Sequence, residues 1–234
     1  MKRSVLSLLF AGLIGLAFVS IGVAIQQDFR FPPNSLPWRP VELDAPPHWL
    51  AHWQMHRLKS NNVLCREALR RSRLRFTPLA DRKLGQACRY ENVMRTDVSP
   101  IAYNITPNAS CALTAALYWY QGRLQPIAER EMKSRLVRID QVGIFACRNV
   151  NNEAGGSRSQ HATANAIDIE AFRFADGRRA SVTRDYGKPT DAGRFLAAAH
   201  GQACGIFNGV LGPDYNRLHA SHFHLDMGPY WICR

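Results

Sequence analysis

The sequence lacks several features that would point to common classes of protein. No two cysteines stand at the short CxxC-type spacing of a thiolate zinc site, which argues against a zinc finger or zinc ribbon. No internal repeat is present, so a solenoid or propeller is not indicated. Acidic residues are scarce, at 18 Asp and Glu against 30 Lys and Arg, and the formal net charge is +12.

The first residues are typical of an export segment. Lys2 and Arg3 precede an uncharged apolar run over residues 5–25, which matches the ~20 residues of a helix that crosses a bilayer. No clear small-x-small cleavage site ends this run, so we expect an uncleaved transmembrane helix rather than a removed signal peptide. The positive-inside rule places Lys2 and Arg3 in the cytoplasm. Whether the segment is an uncleaved helix or a removed signal peptide, the rest of the chain is exported.

The cysteines agree with export because all of them follow the apolar run. An even set in an oxidising compartment predicts up to three disulfides, with 15 possible pairings. We expect neighbours to pair in order, with the last pair clasping a histidine-rich stretch. The six positions are Cys65, Cys88, Cys111, Cys147, Cys204 and Cys233.

The positive charge suits an anionic cell-wall or membrane surface, or simply a solvated basic face. Nucleic acid is the usual alternative partner for such a charge, but the export signals argue against it. We therefore expect no nucleic acid partner.

The chain divides into three parts. Residues 1–25 form the anchor or signal segment, residues 26–47 contain six prolines and predict a stiff linker, and residues 48–234 form one domain. We expect an α+β fold in which helices pack on a small antiparallel sheet. One helix starts near Cys111 and is interrupted near Gly122 and Pro126; its aromatics Tyr118 to Tyr120 belong to the core or line a sugar subsite. Another covers residues 190–204, and the predicted strands are residues 136–148, 165–172, 179–182 and 221–227.

Two polar stretches carry the chemistry. In the last predicted strand, alternation places His222, His224 and Asp226 on one face, with apolar neighbours facing the core. About fifty residues upstream, His161 and Asp168 stand just before and inside another apolar strand. Two histidines and one aspartate from two strands predict an open zinc site, with one position left for water.

Together these strings resemble the Hedgehog/D-Ala-D-Ala metallopeptidase superfamily, whose motif SxHxxGxAxD is followed late in the chain by HxH. Within it, the closest resemblance is to the bacterial extensin-like C-terminal domain family. The strings that carry it are FACR at residues 145–148, SQHATANAIDI at 159–169, FRFADGRRASV at 172–182 and LGPDYNRLHASHFHLDMG at 211–228.

The resemblance implies a disulfide-stabilised Hedgehog/DD-peptidase-like fold and a role for each residue. His222 would transfer protons beside the metal. His219, which gives the spacing HxxHxH, is the second choice for proton transfer. Arg148 would hold a substrate carbonyl or carboxylate. Asp226 would orient an imidazole. The implied zinc ligands are His161, Asp168 and His224.

Two departures from the motif bear on activity. Ala164 replaces the motif glycine, and the neighbourhood in which many members carry a glutamate base contains Leu218, Ala220 and Ser221. Hydrolysis would therefore rely on a histidine as general base.

Two functions stay open, beside the third possibility of a metal-free structural domain. The first is a Zn²⁺-dependent peptidase acting on peptidoglycan peptides. The second is a non-catalytic module that binds or organises the cell wall and keeps the fold, with or without a structural zinc. In both cases we expect a single-pass protein of the bacterial inner membrane with its domain in the periplasm, or a protein released into the periplasm if the first segment is cleaved.

Overall fold

The computed structural model describes residues 2–26, 33–85 and 87–234. Its helices are α1 (Lys2–Gln26), α2 (Ala51–Ser60), α3 (Asn62–Arg70), α4 (Cys111–Ile127), α5 (Val182–Asp185) and α6 (Asp191–Cys204). Its strands are β1 (Arg75–Pro78), β2 (Arg82–Lys83), β3 (Arg89–Tyr90), β4 (Val93–Val98), β5 (Ala102–Tyr103), β6 (Asn108–Ser110), β7 (Leu136–Gly143), β8 (Ala166–Phe174), β9 (Arg179–Ser181), β10 (Gly209–Leu211), β11 (Phe223–Asp226) and β12 (Ile232–Cys233). The predicted α+β class is confirmed.

The strands form three sheets, and the largest carries the candidate site. Its strand order is β12-β10-β11-β8-β7-β5, and β9 also pairs with β8. The central pairings are antiparallel, as expected, but β5 runs parallel to β7 and β12 runs parallel to β10. The prediction of a purely antiparallel sheet is wrong at these two edges, because the chain reaches each edge pair through a long connection rather than a hairpin.

Helix α4 passes through the core. Its N-cap is Ser110, whose hydroxyl accepts a hydrogen bond from the Leu113 amide at 3.3 Å. The three central aromatics are buried, and Tyr120 donates to the Ala199 carbonyl of α6 at 3.1 Å. These aromatics are therefore core residues. The predicted interruption near Gly122 is wrong, because α4 continues unbroken to Ile127. Near Pro126 the helix does change: Pro126 lies in the last turn of α4, and a π-helical turn follows over Ala128–Met132.

Helix α6 begins as predicted. The Thr190 hydroxyl accepts a hydrogen bond from the Gly193 amide at 3.1 Å and so caps the first turn. One turn later, Phe195 packs edge-on against Phe172 and Phe174 of β8, at ring distances of 5.2 and 5.0 Å. Burying one such ring stabilises the fold by roughly 1.5–3 kcal/mol, which fixes α6 on the main sheet.

Three disulfides cross-link the domain, and only one of them pairs as expected. Cys204 and Cys233 are joined, which confirms the clasp between α6 and β12. The other two predicted pairs, Cys65–Cys88 and Cys111–Cys147, are wrong. Cys65 of α3 instead lies against the start of α4, and Cys88, just before β3, lies against the loop after β7. The observed pairs are Cys65–Cys111 and Cys88–Cys147.

The structure does not support the predicted membrane anchor. Within the part of the chain that the structure describes, no helix is both long and apolar enough to cross a membrane.

The described part of the proline-rich segment, residues 33–47, contains no helix or strand. It lies on the domain: Val41 and Leu43 are buried, and Gln54 of α2 donates to the Asn34 carbonyl at 3.0 Å. Residues 27–32 of the predicted linker lie outside the described residues.

Two glycines of α6 test this packing. A Cβ on Gly193 would lie 2.0 Å from the Lys188 carbonyl oxygen, whereas a Cβ on Gly201 would meet nothing within 4 Å. We expect Gly193→Ala to lower the free energy of unfolding by about 1–3 kcal/mol. Gly201→Ala should raise it by up to about 1 kcal/mol, because alanine favours an exposed helix. Urea unfolding measures both, and equal effects would contradict the packing described.

Candidate metal site

The site begins with the register of two neighbouring strands. His224 of β11 stands directly opposite Asp168 of β8 in the antiparallel pairing. Their strand neighbours Phe223, Leu225 and Ile167 are fully buried in the core. Because successive side chains alternate between the two faces of a sheet, His224 and Asp168 share the opposite face.

A tight turn supplies the third polar group. His161 lies in a 3-10 turn that covers Gln160–Thr163, and the Ser159 hydroxyl caps it by accepting from the His161 amide at 3.3 Å. Ala164 closes the turn with a φ of 52°, in the left-handed region that favours glycine. Ala164 adopts this conformation at some cost in strain, which a glycine at the same position would not have.

Three candidate ligand atoms converge. His161 Nε2 lies 3.2 Å from Asp168 Oδ2 and 3.2 Å from His224 Nδ1, and His224 Nδ1 lies 3.0 Å from Asp168 Oδ1. Bonds of 2.0–2.1 Å to a tetrahedral zinc ion place its donor atoms roughly 3.3 Å apart. The spacing of these atoms therefore fits a zinc ion.

The other nitrogen of each imidazole is held by an acceptor. His161 Nδ1 lies 2.9 Å from the Ile144 carbonyl oxygen, and His224 Nε2 lies 2.9 Å from Asp226 Oδ2. Each acceptor favours a proton on the nitrogen that faces it, so the remaining nitrogen of each neutral ring carries a lone pair toward the centre. Two lone pairs and a carboxylate that face one another require a cation between them, either a metal ion or a proton.

Asp226 is itself tightly enclosed. It is fully buried, and its carboxylate accepts from the Gly228 amide at 2.6 Å and from the Tyr230 hydroxyl at 2.8 Å. A Cβ on Gly209, its partner across the strands, would lie 2.2 Å from Asp226 Oδ2. Only glycine at position 209 therefore leaves room for this carboxylate in its present position.

Electrostatics reflect the same convergence. Burial alone would lower the pKa of His224, but hydrogen bonds to Asp168 and Asp226 outweigh it and raise the pKa to about 9. Burial alone would raise the pKa of Asp168, but hydrogen bonds to His161 and His224 hold it far below its usual value. Without a metal ion, the cation at the centre is therefore a proton on His224.

The predicted catalytic residues lie around this centre. His222 Nε2 is 3.5 Å from Asp168 Oδ1, and the His219 ring lies 5.5 Å from the His222 ring. Burial lowers the pKa of both His219 and His222 and is the largest cause of each shift. The pKa of His219 falls to about 4. Arg148 is half-buried and close enough for its charge to contribute to both shifts.

Sequence reasoning missed four supports of the site. The Ile144 carbonyl is a backbone group, which no side-chain pattern reveals. Gly209 and Tyr230 lie outside the quoted family strings. Gly228 ends one of them, but its backbone amide, which donates to Asp226, is again a group that no side-chain pattern reveals.

The family model described as extensin-like protein C-terminus matches residues 63–234. The chain belongs to this family. No curated protein and no solved structure matches it. The matched region of the extensin-like domain contains all the site residues named above, whereas α2 and the segment that precedes it lie outside the match.

The charge on His224 makes the stability of the metal-free extensin-like domain depend on pH. Its pKa rises from 6.5 to about 9 on folding, so this stabilisation is complete below pH 6.5 and is lost as the pH rises through 9. We expect the free energy of unfolding, measured with urea and a chelator, to fall by about 3 kcal/mol over that interval. His224→Gln, which cannot titrate, should abolish the slope; a flat wild-type profile would contradict the charge assignment.

Proposed function

We propose that the extensin-like domain is an exported zinc-dependent peptidase that hydrolyses amide bonds in peptidoglycan peptides. The single observation that carries this proposal is the convergence of His161 Nε2, an Asp168 carboxylate and His224 Nδ1, with both opposite nitrogens held by acceptors. This is the ligand arrangement expected from the Hedgehog/D-Ala-D-Ala metallopeptidase superfamily, to which we assign the domain.

Export is part of the same proposal. Disulfides persist in oxidising compartments, and all six cysteines of this chain are paired. We therefore place the domain in the bacterial periplasm, where peptidoglycan is its accessible anionic partner. The net charge of +12 favours that association.

His161, Asp168 and His224 would hold the zinc ion. When bound in such a site, zinc supplies Lewis acidity, which polarises a carbonyl group and acidifies water. The Ile144 carbonyl and Asp226 keep both imidazoles in the tautomer that presents a lone pair, so the ligands need no rearrangement.

His222 is the best candidate for the general base. Burial lowers its pKa, so its ring is neutral near pH 7 and can accept a proton. His219 is a weaker base, with a pKa of about 4, and its Nδ1 is 2.8 Å from Asn216 Oδ1. Arg148 makes no ion pair within the described residues, so its guanidinium is available to stabilise negative charge on a substrate oxygen.

One observation favours the alternative, a non-catalytic wall-binding module. Among the described residues, the carboxylates that contact the site histidines are Asp168 and Asp226, and both are already committed to holding imidazoles. No acidic base is then left for hydrolysis, and turnover depends on a histidine alone.

Variants separate binding from turnover. His161→Ala, Asp168→Ala and His224→Ala should each lose bound zinc, because each removes one of three ligands. His222→Ala should keep zinc and lose at least about 100-fold in turnover, the usual contribution of general base catalysis. Zinc content by elemental analysis and digestion of purified muropeptides by the full chain, with and without chelator, measure both effects.

Val142→Ala, at an exposed position of β7, is the control and should change neither quantity. Loss of zinc from His222→Ala would mean that the two histidines of the HxH pair have exchanged roles. No products from the wild type under any metal, with binding to cell-wall sacculi retained, would replace the peptidase by the binding module.

A further inference from the structure

Helix α2 has an unusual outer face. Its inner face is buried in the core, and at 100° per residue the opposite face carries Trp49, just before the helix, Trp53 and Arg57. Trp49 is 78 % exposed and Trp53 is 43 % exposed. The solvent face of a helix normally carries charged residues, and α2 contains no acidic residue at all.

Other tryptophans join this face. The Trp231 ring lies 3.9 Å from the ring of His52 on α2, and the Arg57 guanidinium lies 4.9 Å from the Trp53 ring. Arg57 also donates to the carbonyl of Pro37, next to Trp38. Four of the five tryptophans of the chain are thus exposed around α2. We call them the tryptophan face: Trp38, Trp49, Trp53 and Trp231.

Residues 228–231 link the tryptophan face to the candidate metal site. Lys59, at the end of α2, donates to the Gly228 carbonyl at 2.8 Å, and Tyr230 donates to Asp226 at 2.8 Å. The next residue is Trp231, which contacts α2. Residues 228–231 therefore lead directly from the carboxylate that orients His224 to the exposed indoles.

The composition of the face indicates its ligand. Within residues 33–60, the large apolar side chains that are exposed are all tryptophans, with no exposed leucine, isoleucine or valine among them. A helix that lies in a lipid surface carries leucine and phenylalanine beside its tryptophans. Sugar rings present flat C–H surfaces that stack on indoles, and their hydroxyl and acetamide groups accept from an indole N–H.

We propose that the tryptophan face binds a glycan strand of β-linked N-acetylated amino sugars. The inference rests on the proposed function for the identity of the polymer, whose peptides would occupy the metal site while its sugars lie along α2. Three of the four tryptophans precede residue 63, so this subsite lies mostly outside the matched family region.

The test is calorimetric titration of the full chain with a hexamer of β-1,4-linked N-acetylglucosamine, in the presence of chelator. We expect Trp53→Ala and Trp231→Ala each to weaken binding about tenfold, as loss of a stacked ring does, and Trp53→Phe to keep most of the affinity. Val63→Ala, at a 77 % exposed position on α3, is the matched control and should bind like the wild type. Circular dichroism establishes that every variant is folded.

Three outcomes would overturn the glycan subsite. The wild type could fail to bind the hexamer at millimolar concentration, or the tryptophan variants could bind it as well as the wild type does. In a parallel assay with anionic phosphatidylglycerol vesicles, the tryptophan variants could lose binding to the vesicles and not to the hexamer. Because chelator removes the metal, this result is independent of hydrolysis. If the chain binds the hexamer but digests no muropeptides, the glycan subsite is supported and the peptidase proposal is wrong. If it digests muropeptides but does not bind the hexamer, the peptidase proposal is supported and the glycan subsite is wrong.

Discussion

The site depends on the antiparallel register that sets His224 opposite Asp168. A slip of one residue between β8 and β11 would turn His224 toward the core and expose its apolar neighbours. On the other side of β11, its register with β10 sets Gly209 opposite Asp226, which gives the orienting carboxylate its space. Only His161 arrives from elsewhere, and the Ile144 carbonyl holds its ring.

This register brings together groups that are costly to bury alone. His161, Asp168 and His224 are each less than a tenth exposed, and an unpaired charge at such a depth is strongly unfavourable. Hydrogen bonds satisfy the outer nitrogen of each imidazole and leave the inner lone pairs facing one another. Either a proton on His224 or a metal ion stabilises this arrangement, so metal binding and proton release are coupled. The proposed chemistry and the pH dependence of stability thus have one physical origin.

Site residues could be predicted from the sequence where a local pattern fixes their position, and not where the packing of distant segments decides it. Asp168 and His224 could be placed because a strand alternates with period two. His222, in contrast, lies just before β11, and His161 lies in a turn that was not predicted from the sequence. The pairing of Cys65 with Cys111 could not be predicted, because it depends on how α3 packs against α4. The Ile144 carbonyl leaves no trace in a side-chain pattern. Likewise, the spacing of Trp49 and Trp53 shows that they share a face, but only packing decides that the face is exposed.

The central claim is that two histidines and one aspartate form a zinc site without thiolates. X-ray absorption spectroscopy at the zinc edge, on the full chain purified oxidised and loaded with zinc, tests it most directly. We predict one zinc ion per chain with nitrogen and oxygen neighbours at about 2.0–2.2 Å and no sulfur. A sulfur shell at about 2.3 Å, or far less than one zinc per chain, would contradict the account.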